Sequence, residues 1–594
     1  MNNWIHPAAL FILGAFLIPF LKGEIKKAYL LIIPFFALVD VLYMSEGTYW
    51  VYNFLGNDLI LGKVDRLSLV FGYVFTIMTF IGMIYALHVE DDLHHMAAFF
   101  YAGSSIGVLF AGDYFTLFVF WEIMAFASAY LVFAQRGKAA VNAGFRYLLV
   151  HIFGGVCLLA GIIIHYVDSG SILFGPIGGD DRAFYLILIG FLLNAAVPPL
   201  SAWLPDAYPE ATVAGAVFLS AFTTKTAVYV LVRAFPGTEA LIWLGTIMTL
   251  YGVFYAFIEN DIRRILAYHI ISQVGFMVTG VGLGTEMGLN GSVSHAFAHI
   301  LYKGLLFMAA GAIIQMTGRR KLSELGGLYK TMPVTLILYM IGGFSISAFP
   351  LFSGFISKSM VLSAASYGHR PIVTLLLTTA SAGTFLSLGL KIPYFAFFGR
   401  DSGISAKEPP VNMRIAMWIA AILCIVIGIF PGTLYSVLPY PVNFEPYTGE
   451  HVTGSLGLLL FTALGFFVFL RKINPKATVI LDTDWFYRKG ARAFLWFLYN
   501  PMSAFGNHIG TLFFDSIPGS LAWFSKNPLA VFKISMDKFL MQFSNPGRKR
   551  EIENLIETEK AMYPGDIIKH WPIGSTVLWV TIFFVFYLLL YYLK

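Results

Sequence analysis

Apolar residues run on for 18–25 positions at a time along this chain, broken by short polar turns. A helical run of that length crosses about 30 Å of hydrocarbon at 1.5 Å per residue. A membrane barrel would instead alternate in segments of about ten residues. The pattern predicts helices near 4–21, 27–44, 66–88, 94–111, 113–134, 141–166, 183–200, 212–235, 238–258, 266–284, 291–316, 332–350, 371–398, 412–435, 455–470 and 573–592. Between the second and third, residues 46–65 carry Tyr, Trp and Val with Gly turns and predict a small hairpin. The fold class is an all-α polytopic membrane protein.

Composition sharpens the class. Of 594 residues, 58% are apolar and 12% charged, against roughly 45–50% and about 25% in soluble chains. So few charges cannot cover so much apolar surface in water, which excludes a soluble globular fold, and disorder and coiled coil fail on the same composition. Cys157 and Cys424 lie inside apolar runs and form neither a disulfide framework nor a metal-ligand spacing. The net charge of +6 implies no nucleic-acid partner. The first residues, MNNWIHPAAL, lack a basic stretch and read as a first span.

Charge also sets orientation. Lys22, Lys26, Lys27, Arg136, Lys138, Arg263, Arg264, Arg319, Arg320, Lys321, Lys330, Arg400, Lys407 and Arg414 fall in alternate loops. The positive-inside rule puts those loops in the cytoplasm and both termini outside it, in a multi-pass protein of the inner (cytoplasmic) membrane. About a third of all charged residues fall in 471–572, whose Phe-, Leu- and Lys-rich stretches predict amphipathic helices along the membrane surface or along partner subunits.

A charge at mid-bilayer costs about 2.5–3.5 kcal/mol on insertion scales, so ionisable residues deep in spans are candidates for function. Glu122 lies nine residues past Asp113, about 14 Å into its helix. Lys225, flanked by Thr223, Thr224 and Thr226, lies ten residues before the span's end. Lys391 lies nine residues before Arg400, again about 14 Å deep, and Pro393 predicts a helix break beside it. His295, His299 and Lys303 recur every four residues on one helical face, a pattern suited to proton relay. Zinc would want more ligands than the two histidines offer, so no metal is expected. His151 lies mid-span, and two Pro/Gly-interrupted segments, NAAVPPLSAWLPDAYPEATVAG and SISAFPLFSGFISK with Lys358, point to a transport path. No nucleotide loop, haem or iron–sulfur pattern or flavin motif is present, so no cofactor is expected.

Seven motifs in order carry a resemblance: GDYFTLFVFWE, AWLPDAYPEA, LSAFTTKTAVYVL, ENDIRRILAYHIISQVGF, HAFAHILYKGLLF, FPLFSGFISK and LKIPYFAFFG, over roughly residues 60–435. The chain resembles the antiporter-like subunits of respiratory complex I, membrane-bound hydrogenases and Mrp-type cation/proton antiporters, most nearly the Mrp D-type subunit. The resemblance implies about fourteen core transmembrane helices with two inverted five-helix repeats, each holding a broken helix. It implies N-terminal helices with a hairpin at 1–93, a proton-translocation core at 94–400, C-terminal core helices at 401–470 and a cytoplasmic amphipathic extension with a last span at 471–594. On the family pattern Glu122 tunes a nearby lysine, Lys225 is the eighth-helix lysine, His295, His299 and Lys303 join two half-channels, and Lys391 is the terminal lysine of the second broken helix.

One position departs. The family has a lysine before the first break where this chain has Asn194. Either Glu122 pairs directly with Lys225, or a residue such as His151 substitutes, or the first half works differently. The expected function is that of a proton-translocating membrane subunit. It would be a transporter component and not an enzyme, working with other membrane subunits, the lipid bilayer, protons and Na⁺ or K⁺. A stand-alone secondary transporter and a non-conducting structural subunit are the alternatives.

Overall fold

Helix starts along this chain are marked by caps. Asp65, Asp91, Asp113, Asp181, Thr212, Asp261, Thr285 and Thr448 each stand just before a helix and accept a hydrogen bond from a backbone N–H of its first turn. Such caps satisfy amides that a helix start leaves without partners. The computed structural model describes residues 5–54, 56–179, 181–473, 475, 482–563 and 573–592. Among them, eleven helices are long and apolar enough to cross a membrane, so the chain is a multi-pass membrane protein. The chain divides into two units, Met1–Asp484 and Trp485–Lys594.

In the first unit the hairpin forms as two antiparallel strands, Gly47–Phe54 and Asn57–Val64, with Val51 opposite Ile60. The Asp113 carboxylate ties it down by accepting the Ile60 amide at 2.7 Å.

Two five-helix sets follow, and their lengths repeat. The first runs Asp92–Phe110, Tyr114–Phe133, Lys138–Ser169, a helix broken after Arg182–Asn194, and Val213–Ala234. The second runs Glu239–Ile258, Ile262–Leu283, Glu286–Thr317, a helix broken between Pro333–Ile346 and Ser353–Tyr367, and Pro371–Phe398. Each third helix has 32 residues and stops at a left-handed glycine, Gly170 or Gly318. In each set the second helix's N-cap pairs with the segment after the third: Asp113 with Leu173, and Asp261 with Lys321. Both breaks contain an alanine at φ 58°, Ala196 and Ala348.

Five crossings invert the second set against the first. Asp113 lies on one face, and Asp261 on the face of the Lys/Arg-rich loops, here called the basic face. At the second break the chains approach so closely that a Cβ on Gly354 would meet the Ser345 carbonyl oxygen at 1.7 Å, so only glycine fits.

One expected break is absent. The Lys391 helix passes Pro393 without interruption, as two wider π-helical stretches, Phe385–Lys391 and Tyr394–Phe398. The wider turn accommodates a residue that has no N–H to give and whose ring needs room. The discontinuity of the second set lies at 347–352, and the lysine following it is Lys358.

The second unit is helical in its described part. The Pro528–Gln542 and Pro546–Met562 helices share a small seam of Val531, Ile534 and Ile556. Lys533 forms an ion pair with Glu559. A last apolar helix covers Ile573–Tyr592. Positions 474, 476–481 and 564–572 of the predicted extension lie outside the described residues.

Candidate functional site

The fully helical Glu286–Thr317 segment forms the centre of the site. Every residue from Gly288 to Ile313 is buried, so His295, His299 and Lys303 are enclosed on all sides. The His295 and His299 ring centroids are 6.3 Å apart. His295 Nδ1 lies 3.0 Å from Ser357 Oγ, which joins the second broken helix to this row. Neither ring nitrogen of His299 nor the Lys303 Nζ has a hydrogen-bond partner among the described residues. Buried polar atoms are normally satisfied, so this row is polar space inside an apolar body.

Lysines flank the row on both sides. Lys225 Nζ donates to the Ser220 carbonyl at 2.5 Å and to Thr224 Oγ1 at 3.1 Å. The contact to Ser220 is available because the helix is interrupted at Phe222, which exposes carbonyls. Lys358 Nζ donates to the Ile346 carbonyl at 2.8 Å, a carbonyl that the second break frees, and stands 5.0 Å over the Phe276 ring. Electrostatic interaction links Lys303 to both Lys225 and Lys358. None of Lys225, Lys303, Lys358 and Lys391 forms an ion pair with a carboxylate among the described residues.

Lys391 sits differently from its sequence expectation. Its Nζ donates to Phe257 and Glu259 carbonyl oxygens at 2.6 Å each and to Ala256 O at 3.4 Å. These carbonyls belong to the last turn of the Glu239–Ile258 helix and to its C-cap, Glu259, so the ammonium lies toward the basic face and not at mid-membrane, and there it meets the negative end of the helix dipole. The lysine carried by the second broken helix is Lys358.

His269 is a further member of the site, and depth counted from Asp261 is the signal that finds it. It lies eight residues past that cap, is fully buried, and has no partner on either ring nitrogen among the described residues. It interacts electrostatically with Lys303, Lys358 and Lys391, bridging the centre to the basic-face lysine. Gln273, one turn on, donates to Thr384 Oγ1 at 3.3 Å.

The first half is arranged around Glu122, which is half-buried and turned toward Gly155 on the Lys138–Ser169 helix. A Cβ on Gly155 would stand 2.0 Å from Glu122 Oε1. The direct Glu122–Lys225 pair is absent, because Glu122 faces Gly155 and an apolar groove lined by Leu93, Phe100, Phe126 and Tyr130, while Lys225 is turned to Ser220. His151 stacks on Tyr147 at 3.9 Å and meets Trp203 at 4.6 Å. Asn194 ends the first broken half-helix fully buried, with neither amide atom partnered among the described residues. The bidentate Arg146–Asp206 pair, at 2.7 and 2.9 Å, holds the segment beyond the break to the long helix. No cluster of three metal-ligating side chains occurs among the described residues.

Comparison with known proteins gives this arrangement its kin. The NADH:quinone oxidoreductase/Mrp antiporter transmembrane family matches residues 111–385. The chain is 28% identical over 466 residues to the D-type subunit of an Na(+)/H(+) antiporter from Alkalihalophilus pseudofirmus, covering 72% of this chain and 92% of that one. It is 32% identical over 396 residues to the A/B-type subunit of a probable K(+)/H(+) antiporter from Rhizobium meliloti, with 61% of this chain matched and only 40% of that protein's length spanned. Among solved structures, a chain of the membrane-bound sulfane sulfur reductase, an archaeal respiratory membrane complex, superposes with a TM-score of 0.68 at 23% identity, over 85% of this chain and 95% of that one. The family match takes in both broken helices though not the whole of either set, and the chain is similar there to membrane subunits of Na(+)/H(+) antiporters.

Proposed function

We propose that this protein conducts protons through its membrane core as one component of a larger assembly. The observation that carries the reading is the buried row Lys225, His299, Lys303, Lys358, His295, His269 and Lys391, whose four lysines form no ion pair with a carboxylate among the described residues. Isolated buried charges are costly, so such a row is hard to account for as packing. An amine's proton affinity depends on burial and on neighbouring charge, and histidine titrates near neutral pH, so small rearrangements can pass a proton along the row.

Each unit charge moved against 100 mV requires about 2.3 kcal/mol. The energy comes from an ion gradient or from companion subunits, as in a cation/proton antiporter with Na⁺ or K⁺ or in a complex I-like assembly. The protein sits in the inner membrane with its basic loops in the cytoplasm. Glu122 modulates the first half, where the buried Asn194 amide and the His151 ring stand in place of a second lysine.

The test is proton movement in membrane vesicles carrying the intact assembly, followed with a pH-sensitive dye. Lys225→Ala, Lys303→Ala and Lys358→Ala each abolish it on this reading. Unchanged proton movement in all three variants would make this protein a non-conducting scaffold.

A further inference from the structure

The two faces of the membrane are served by different lysines. Lys391 hydrogen-bonds to carbonyls at the basic face. Lys358 instead forms part of the wall of a cavity of about 630 Å³, whose lining includes Ser359, Thr378, Ser381, Glu450 and His451. Glu450 and His451 belong to the first turn of the Gly449–Phe469 helix. The preceding helix, Val411–Ile429, starts at the basic face, so that first turn lies on the opposite face. The cavity therefore spans from a buried lysine to the surface opposite the basic loops.

Most of the lining is apolar, Phe355, Leu362, Leu458 and Phe461 included, and Lys358, Ser359, Thr378, Ser381, Glu450 and His451 are among its polar groups. Lys358 Nζ lies 3.4 Å from Ser381 Oγ. The Ser359 and Thr378 hydroxyls donate to backbone carbonyls at 2.7 and 2.8 Å, which leaves their oxygens as acceptors. His451 is only partly exposed, its ring sits 5.5 Å from Phe444, and its Nδ1 has no partner among the described residues. Glu450 beside it is exposed. Lys358, Glu450 and His451 are the ionisable groups on the cavity wall.

We propose that Glu450 and His451 form the proton mouth of this half of the molecule, exchanging protons between Lys358 and the aqueous phase opposite the basic loops. The Lys358 ammonium gives up one proton into the cavity beside Ser381 and is left as a neutral amine. The His451 imidazole takes that proton as imidazolium and passes it to water, with the Glu450 carboxylate holding the positive charge at the mouth. The reverse sequence loads the lysine. The proposal rests on the proton-conducting reading above, and its two arms separate the failure of one from the failure of the other.

The first arm needs no transport. In the full chain in membranes, with Cys157→Ala and Cys424→Ala, a Thr378→Cys variant is treated with a membrane-impermeant maleimide in vesicles of either orientation. Labelling from the face opposite the basic loops is expected. Labelling from the basic face alone, or none on either face, overturns the mouth. The second arm measures proton movement by the intact assembly. His451→Ala and Glu450→Gln are expected to lower it about tenfold or more and to shift its dependence on pH at that face alone, which loss of packing does not do. Full activity in both variants while Lys358→Ala is inactive overturns the proposal. Full activity of Lys358→Ala overturns the conducting reading instead, and the labelling result still decides whether the cavity opens where proposed.

Discussion

Replacing Gly155 with alanine tests whether the position of the Glu122 carboxyl matters. The added methyl would stand 2.0 Å from Oε1 and 3.0 Å from the carboxyl carbon. Ordinary contact begins near 3.4 Å, so the carboxyl must retreat by more than an ångström toward the apolar groove. Overpacking of this kind costs about 1–3 kcal/mol, while alanine gains about 1 kcal/mol over glycine within a helix. The net loss of stability is then at most about 2 kcal/mol, a shift of a few degrees in a melt of the purified assembly. The loss in proton movement is larger, since a misplacement of 1 Å can cost about a hundredfold. Glu122→Ala removes the clash, so Gly155→Ala in that background should stabilise by about 0.5–1 kcal/mol. The coupling between the two sites is therefore large and of predictable sign. Wild-type proton movement in Gly155→Ala, or additive melts across the four proteins, would refute the reasoning.

At the face opposite the basic loops, Arg233 holds Asp65 through two 2.8 Å hydrogen bonds. Asp65→Asn keeps the helix cap but loses the charge, and should cost about 2–3 kcal/mol, less than a fully buried pair because Asp65 is about one-third exposed. Asp65→Ala should cost about 1 kcal/mol more through the cap, and a chemical-denaturation series on both variants checks the order. Burial alone would raise the Asp65 pKa, yet hydrogen bonding and charge from Arg233 outweigh it and hold the carboxyl below its usual range. Its stabilisation is therefore complete above the unfolded carboxylate pKa of about 3.9 and is lost as pH falls through the lower folded value; Asp65→Asn should flatten that acid limb of the melting curve. Asp482 accepts hydroxyls from Tyr251 and from Tyr268, the latter at 2.7 Å. Tyr268→Phe should destabilise the first unit by about 1–3 kcal/mol by leaving a buried carboxylate short of a donor, and an unchanged midpoint in the same denaturation series would contradict that.

Most of the architecture is legible from the chain because the membrane enforces it. Runs of apolar residues must be helices when no water is present to satisfy the backbone, and the seven motifs fix their order. Depth is harder to read. Counting residues from Arg400 puts Lys391 at mid-membrane, but a lysine side chain reaches several ångströms, and this one reaches the end of the neighbouring helix. Pro393 signals a break by a rule that holds for ordinary α-helices, and the π-helical stretches set that rule aside. His269 is easily passed over because it stands inside a motif that carries the resemblance, though its distance from Asp261 is the kind of signal that singles out Glu122. The opposed directions of Glu122 and Lys225 depend on helix rotation, which spacing along one strand of sequence does not contain.

The inverted repeat explains why the row can serve two faces. Inversion turns the capped ends of the two sets, Asp113 and Asp261, to opposite sides. On the conducting reading, two opposed repeats meeting at His295, His299 and Lys303 give the centre an outlet each way. In this chain the second repeat also carries both Lys358, beside a cavity opening away from the basic loops, and Lys391, beside the basic face. His269 interacts with both. On the proton-conducting reading proposed above, a proton arriving at the centre has two exits within one repeat. Net pumping on that reading requires that they never be open together, so the conformational change that matters is the one that alternates the coupling of His269 between Lys358 and Lys391.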